Sequence, residues 1–112
     1  MDLPVRPIQK NIAVVTLSGR LDAVTGPEIR QALLSQVEQG CTTLILDMSR
    51  VHFVDSSGLA MLVSLLRAAK EKGGEIFLAG LQAQAETVFR LTMLDRVFPI
   101  HPTVDDAIAR AK

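Results

Sequence analysis

Two adjacent hydroxyls, flanked by a carboxylate and a glycine, stand at Asp55-Ser56-Ser57-Gly58, between an apolar run and a long helix-forming segment, Leu59 to Lys72. Asp and Ser accept hydrogen bonds from the unpaired amides of a helix start. Asp55 or Ser56 therefore reads as the N-cap of a helix beginning near Ser57. The dipole of such a helix favours negative charge at that end, which suits a serine that carries a phosphate. Capping alone would also explain these residues, because Asp and Ser cap helices in proteins of every kind.

Other chemistries fare worse. A serine hydrolase needs a base beside Ser56 or Ser57, and His52 and His101 are the only histidines. His52 is near in sequence, but the Gly-x-Ser-x-Gly elbow is absent. Two histidines and the single cysteine, Cys41, show no zinc-ligand spacing, so no metal site and no cofactor are expected. No Gly-x-x-x-x-Gly-Lys run is present to cradle nucleotide phosphates. These residues point away from an enzyme.

Bulk composition narrows the class further. A length of 112 residues suits one domain spanning 1–112, and a hydrophobic fraction of 48% suits a folded core. Twelve Lys and Arg balance twelve Asp and Glu, so there is no basic stripe for nucleic acid. One cysteine excludes an internal disulfide and suits a reducing compartment. No apolar run reaches the length of a membrane span, and the first residues lack the apolar centre of a signal peptide. The expectation is a cytoplasmic protein that does not insert into membranes.

Periodicity supplies the elements that must position the serines. Met1 to Gln9, with Pro4 and Pro7, suggests an extended edge segment. Ile12 to Leu17 is β-branched and reads as a strand, Ser18-Gly19 as a bend, and Arg20-Leu21-Asp22 as a second short strand. Thr25-Gly26-Pro27-Glu28 has the pattern of a capping box, and Ile29, Leu33 and Val37 recur at helical spacing up to Gly40. Thr42 to Met48 is apolar on nearly every residue, as in a central strand covered on both faces, and Ser49 to Val54 reads as a connection. In the following helix Leu59, Leu62, Val63, Leu66 and Ala69 form one stripe; Met61, Leu65 and Ala68 form a flanking one. Glu75 to Ala79 and Val97 to Ile100 read as strands. Ala85 to Thr92 reads as a helix, and a final helix opens at Pro102-Thr103 with Val104, Ala107 and Ile108 inward. Strands alternating with helices predict an α/β fold, a mixed β-sheet with helices packed against it.

The residues Leu44-Ile45-Leu46-Asp47 and Phe53-Val54-Asp55-Ser56-Ser57-Gly58-Leu59 closely resemble the core signature of the STAS domain family, and most of all its stand-alone bacterial anti-sigma factor antagonists. Leu17-Ser18-Gly19-Arg20-Leu21-Asp22 and Gly73-Gly74-Glu75-Ile76 extend the resemblance over nearly the whole chain. Ala60 departs from it, standing where many members have a second glycine. The resemblance implies a single STAS-like domain that binds a serine-kinase anti-sigma factor while unphosphorylated, so releasing a sigma factor. The kinase phosphorylates the first serine of Asp-Ser-Ser-Gly, here Ser56, and a phosphoserine phosphatase restores it.

By the same resemblance Asp22 lies beside the phosphorylated serine and supports phosphoryl transfer, with Asp55, Thr25 and Ser57 as further supporting residues. Taken by themselves, Asp22 is a polar strand end and Thr25 a helix cap. The resemblance also implies that the helix after the serine contributes to the kinase-binding face, with Gly58, Met61 and Leu65 as the contact residues, although core packing would equally explain Met61 and Leu65. Its apolar surface is wider than one stripe, which suggests that a partner covers part of it. STAS-like proteins of another kind serve as non-enzymatic subunits of lipid-transport complexes or as stress-signalling scaffolds. Those would need the apolar helix face but no working serine switch.

Overall fold

A computed structural model describes residues 3–112 of the chain. In order, its elements are β1 (Val5–Gln9), β2 (Ile12–Leu21), α1 (Gly26–Glu38), β3 (Thr43–Val54), α2 (Ser56–Glu71), β4 (Ile76–Ala79), α3 (Ala83–Leu91), a 3-10 turn (Leu94–Arg96), β5 (Ile100–His101) and α4 (Val104–Ala111). The five strands form one sheet in the order β1-β2-β3-β4-β5. Strand β1 runs antiparallel to β2, and all other neighbours are parallel. This is the mixed α/β sheet that the alternation of strands and helices predicted. β1 is the edge strand expected around Pro4 and Pro7; Met1 and Asp2 of that segment lie outside the described residues.

Side-chain alternation along the strands divides the core in two. Ala13, Val15 and Leu17 of β2 and Leu44, Leu46 and Met48 of β3 face the same side as the buried residues of α1, α2 and α3. Ile12, Val14, Ile45 and Phe77 face the other side, where α4 contributes Ala107. Strands covered on both faces in this way read as unbroken apolar runs, as Leu44-Ile45-Leu46 does.

Three differences from the sequence-based expectations bear on the site. The segment Ser49–Val54 is strand, not connection: β3 continues to Val54 and pairs with the second half of β2. Likewise β2 does not break at Ser18-Gly19. It is one strand whose register with β3 shifts between Thr16 and Ser18 and between Gly19 and Arg20. Gly19 sits there at φ +84°, a left-handed geometry that other residues adopt only with strain. The irregularity lets two long strands stay paired while their ends bend. The last strand is shorter than Val97–Ile100 suggested, being only Ile100–His101, and Val97 is half exposed.

Because β4 pairs only with Leu44–Asp47, the second half of β3 has no strand on that side. Side chains from the start of the third helix take its place. The amide of Gln82 donates to the Ser49 carbonyl at 2.8 Å. Gln84 accepts from the Val54 N–H and donates to the Val54 carbonyl, each at 2.9 Å. Gln84 thus acts as one residue of a missing strand and fixes the backbone immediately before Asp55-Ser56. An unpaired, part-buried main-chain group here would cost about 1–3 kcal/mol.

Candidate functional site

The ends of β2 and β3 and the start of α2 meet at one corner of the sheet. Leu21 pairs in register with Val54, and the Asp55 N–H donates to the Leu21 carbonyl at 3.2 Å. The chain then turns directly into α2. Asp55 is extended (φ −115°, ψ −171°) and its Oδ1 accepts from the Gly58 N–H at 3.0 Å. Asp55 is therefore the N-cap and Ser56 the first helical residue, one position earlier than the sequence placed the helix start. Ser56 and Ser57 are exposed, and the Ser56 hydroxyl is not spent on capping.

Asp22 closes the other side of the corner. Its Oδ1 accepts from the N–H groups of Val24 at 3.0 Å and Thr25 at 3.1 Å, while its Oδ2 accepts from Arg20 Nε at 3.1 Å. These donors, the Thr25 amide first and the Arg20 guanidinium next, hold the carboxyl below its ordinary pKa. The carboxylate therefore organises a turn. Its hydrogen bonds favour the ionised form.

A pH dependence follows from the lowered pKa. The ordering that Asp22 gives to the 22–25 turn is complete above the ordinary carboxylate pKa of 3.8 and is lost as pH falls through the lowered folded-state value. In an NMR titration the Val24 and Thr25 amide resonances are expected to hold constant from neutral pH to about pH 4, near the reference carboxylate value, and to move only below it. Movement centred well above pH 4 would contradict these hydrogen bonds.

Thr25 does not cap α1. Its backbone is itself helical (φ −86°, ψ −28°) and its side chain makes no cap hydrogen bond, so the Thr25–Glu28 capping box is absent. The Thr25 hydroxyl instead donates to the Arg20 carbonyl at 2.6 Å and accepts from the Asp22 N–H at 3.1 Å. It locks the strand end to the turn, because the first turn of the helix is already initiated by the Gly26 N–H bond to the Asp22 carbonyl at 2.8 Å. Expected as a cap, Thr25 is part of the Asp22 corner.

The partner-contact residues expected on α2 require correction. Gly58 is buried, Leu65 is fully buried and Met61 is only 6% exposed; all belong to the interior of the helix layer. A stripe beside the sheet-facing one looked like free surface, but α1 lies over it. The Met61 Cβ stands 3.9 Å from where Gly26 would carry a Cβ, and Arg30 Nε donates across the two helices to Ser64 Oγ at 2.9 Å. Two apolar stripes, one for the sheet and one for α1, account for the width of the apolar surface.

Beside α1, the accessible residues in the first half of α2 are small. Ser57, Ala60 and Ser64 recur at helical spacing and line a shallow hollow with Asp22, Gly26 and Pro27. Met61 contributes part of its floor. The structure thus brings Asp22 and Ser57 into one hollow; Ser56, one residue earlier, is exposed and is not part of its lining.

Two features of the corner gave no sequence signal. The Arg20 guanidinium lies 4.0 Å from the centre of the Phe53 ring, across the strand pair, besides reaching Asp22. Gln84 reaches Val54 across 30 residues of chain. Neither pairing has a local motif.

The five-stranded mixed sheet carries a helix launched by Asp-Ser-Ser-Gly at the end of its central strand, and the sequence places this domain. Residues 4–107 match the STAS domain family, and the chain belongs to that family. It is 31% identical over 100 residues to the anti-sigma-F factor antagonist RsfB of Mycobacterium tuberculosis, covering 87% of this chain and 79% of RsfB. The crystal structure of an anti-sigma factor antagonist from Mycobacterium paratuberculosis superposes with a TM-score of 0.81 at 32% identity, covering 98% of this chain and 92% of that one. The anti-sigma factor antagonist SpoIIAA in its unphosphorylated form superposes with a TM-score of 0.83 at 25% identity, covering 97% and 95%. Among the described residues no helix is long and apolar enough to cross a membrane.

Proposed function

We propose that this chain is an anti-sigma factor antagonist working in the cytoplasm, and that phosphorylation of Ser56 switches it off. Unphosphorylated, it binds a serine-kinase anti-sigma factor and frees the sigma factor. The kinase transfers the γ-phosphoryl group of its ATP to the Ser56 oxygen, the serine proton leaves, and ADP departs; a phosphoserine phosphatase reverses the change by hydrolysis. The observation that carries this reading is the free Ser56 hydroxyl, exposed on the first residue of α2, with the capping duty taken by Asp55. The named relatives support it, since they are anti-sigma factor antagonists and one is described in a specifically unphosphorylated form.

The local physics suits a switch. A phosphoserine adds about −1.5 to −2 charge and three acceptor oxygens. The start of a helix tolerates that charge, so the domain keeps its fold. A partner surface fitted to a neutral hydroxyl does not tolerate it, because the dianion must be desolvated or meets like charge.

The partner face in this reading is the hollow between α1 and α2, where Ser57, Ala60 and Ser64 permit close approach. Ala60→Arg is expected to leave thermal stability nearly unchanged and to weaken kinase binding about tenfold or more, or roughly 1.4 kcal/mol. Leu65→Ala is expected to cost about 2–5 kcal/mol of stability through the cavity it leaves, and Leu65→Asp to unfold the domain. Thermal melts beside binding titrations with the kinase separate the two positions. Undiminished binding by Ala60→Arg would remove the hollow from the interface.

A further inference from the structure

Two carboxylates belong to the corner where α2 begins. Asp55 precedes Ser56 in the chain, and Asp22 stands where Leu21 is tied to Asp55. Two carboxylates are a poor setting for a phosphate dianion, since like charges raise its energy and oppose loss of its last proton. A cation at the same corner would reverse that effect, and Arg20 occupies the place for one.

Arg20 is held and yet unfinished. The Phe53 ring lies under its guanidinium at 4.0 Å, and Nε is engaged by Asp22 Oδ2 at 3.1 Å. No partner among the described residues engages its terminal nitrogens, and its side chain is 52% exposed. A guanidinium carries five N–H donors in a rigid fork, so this one keeps a free edge that matches the spacing of phosphate oxygens. Contact with Phe53 restrains the side chain and lowers the entropy lost on pairing.

Register makes the reach short. Arg20 pairs with Phe53, and Ser56 follows Phe53 by three residues, about 10 Å of chain at most. Three other cations are engaged or set away from this corner. Arg30 is bonded to Ser64 at 2.9 Å, Lys70 to Glu75 at 2.8 Å, and Arg50 pairs in register with Ser18, away from the strand end.

We infer that Arg20 is the receiver of the Ser56 phosphate, its terminal nitrogens binding phosphate oxygens while Nε keeps Asp22. This rests on Ser56 as the phosphorylated residue and adds how the phosphate is read. Bridging phosphoserine and Asp22, Arg20 draws the 22–25 turn and the start of α2 together at the mouth of the partner hollow. Phosphorylation then acts by reshaping that mouth as well as by charge.

Installing phosphoserine at position 56 during translation makes the test independent of any kinase. The second pKa of the phosphate, read by ³¹P NMR titration, is expected to rise by about 0.5–1 unit in Arg20→Gln, the solvent-exposed share of the 1–3 units an adjacent arginine gives a carboxylate. Arg20→Lys is expected to restore part of the difference, as a point charge without the fork. Arg50→Gln removes the same charge from the same sheet and is expected to change the value by less than about 0.2 unit, as a screened distant charge. A titration unaltered by Arg20→Gln, or raised equally by Arg50→Gln, overturns the assignment. Failure of a kinase to modify Ser56 would instead count against the phosphorylation reading, with the Arg20 result standing apart.

Discussion

Ser56→Asp is expected to remain folded and to lose at least about a hundredfold in affinity for the serine-kinase anti-sigma factor proposed as its partner, while Ser56→Ala binds as tightly as the parent protein. Each tenfold corresponds to about 1.4 kcal/mol. The two substitutions separate charge from shape. Ser56 is exposed, and Asp55 supplies the cap hydrogen bond to Gly58, so removing the Ser56 hydroxyl leaves no buried group unpaired. Its effect on stability is expected to stay within about 0.5 kcal/mol. A carboxylate on the first helical residue is favoured by the helix dipole, by about 0.3–1 kcal/mol, so Ser56→Asp is also expected to fold. At an interface matched to a hydroxyl, the same carboxylate is a buried or like-facing charge and costs several kcal/mol. Calorimetric titration of both variants and the parent reads the difference directly. Equal affinity of Ser56→Asp and parent would mean that charge at this position does not govern binding.

The second large effect belongs to Gly58, and it concerns folding. The first turn of α2 lies so close to the end of β2 that a Cβ on Gly58 would fall 2.9 Å from the Leu21 Cβ and closer still to the Leu21 carbonyl oxygen. That carbonyl accepts from the Asp55 N–H, so it cannot retreat without breaking the tie that shapes the serine corner. Overpacking of this kind typically costs about 1–3 kcal/mol, and more where backbone must move. Gly58→Ala is therefore expected to lose about 3 kcal/mol or more in denaturant unfolding and to weaken partner binding as α2 is levered away from β2. Ala60→Gly, two residues on and exposed, is expected to cost only about 1 kcal/mol through helix propensity. Parent-like stability of Gly58→Ala would show that the corner is looser than these distances imply.

The alternation of apolar strands with amphipathic helices was enough to predict the α/β sheet, because burial on two faces leaves a pattern in each local segment. The Asp-Ser-Ser-Gly corner was legible for the same reason: cap residues and an apolar helix are local signals. Pairings between distant segments were not. Ser49–Val54 is polar enough in its first residues to suggest a turn, and only the partner half of β2 keeps it extended. Met61 and Leu65 show the same limit on a helix. Spacing tells that two stripes are apolar, but not whether α1 or a separate protein covers the second. Thr25-x-x-Glu28 has the form of a capping box, yet Asp22 competes for the same backbone and wins by accepting two amides within one turn. Arg20 over Phe53 and Gln84 on Val54 depend on register across the sheet and left no trace in the sequence.

Mapping the phosphate by mass spectrometry tests the switch most directly. With the serine-kinase anti-sigma factor that binds it and ATP, the parent protein is expected to gain a single phosphate, on Ser56, and to be released from the kinase; Ser56→Ala is expected to gain none and to stay bound. A phosphate on Ser57 or any other residue, or no phosphate on a protein that the kinase binds, would contradict it.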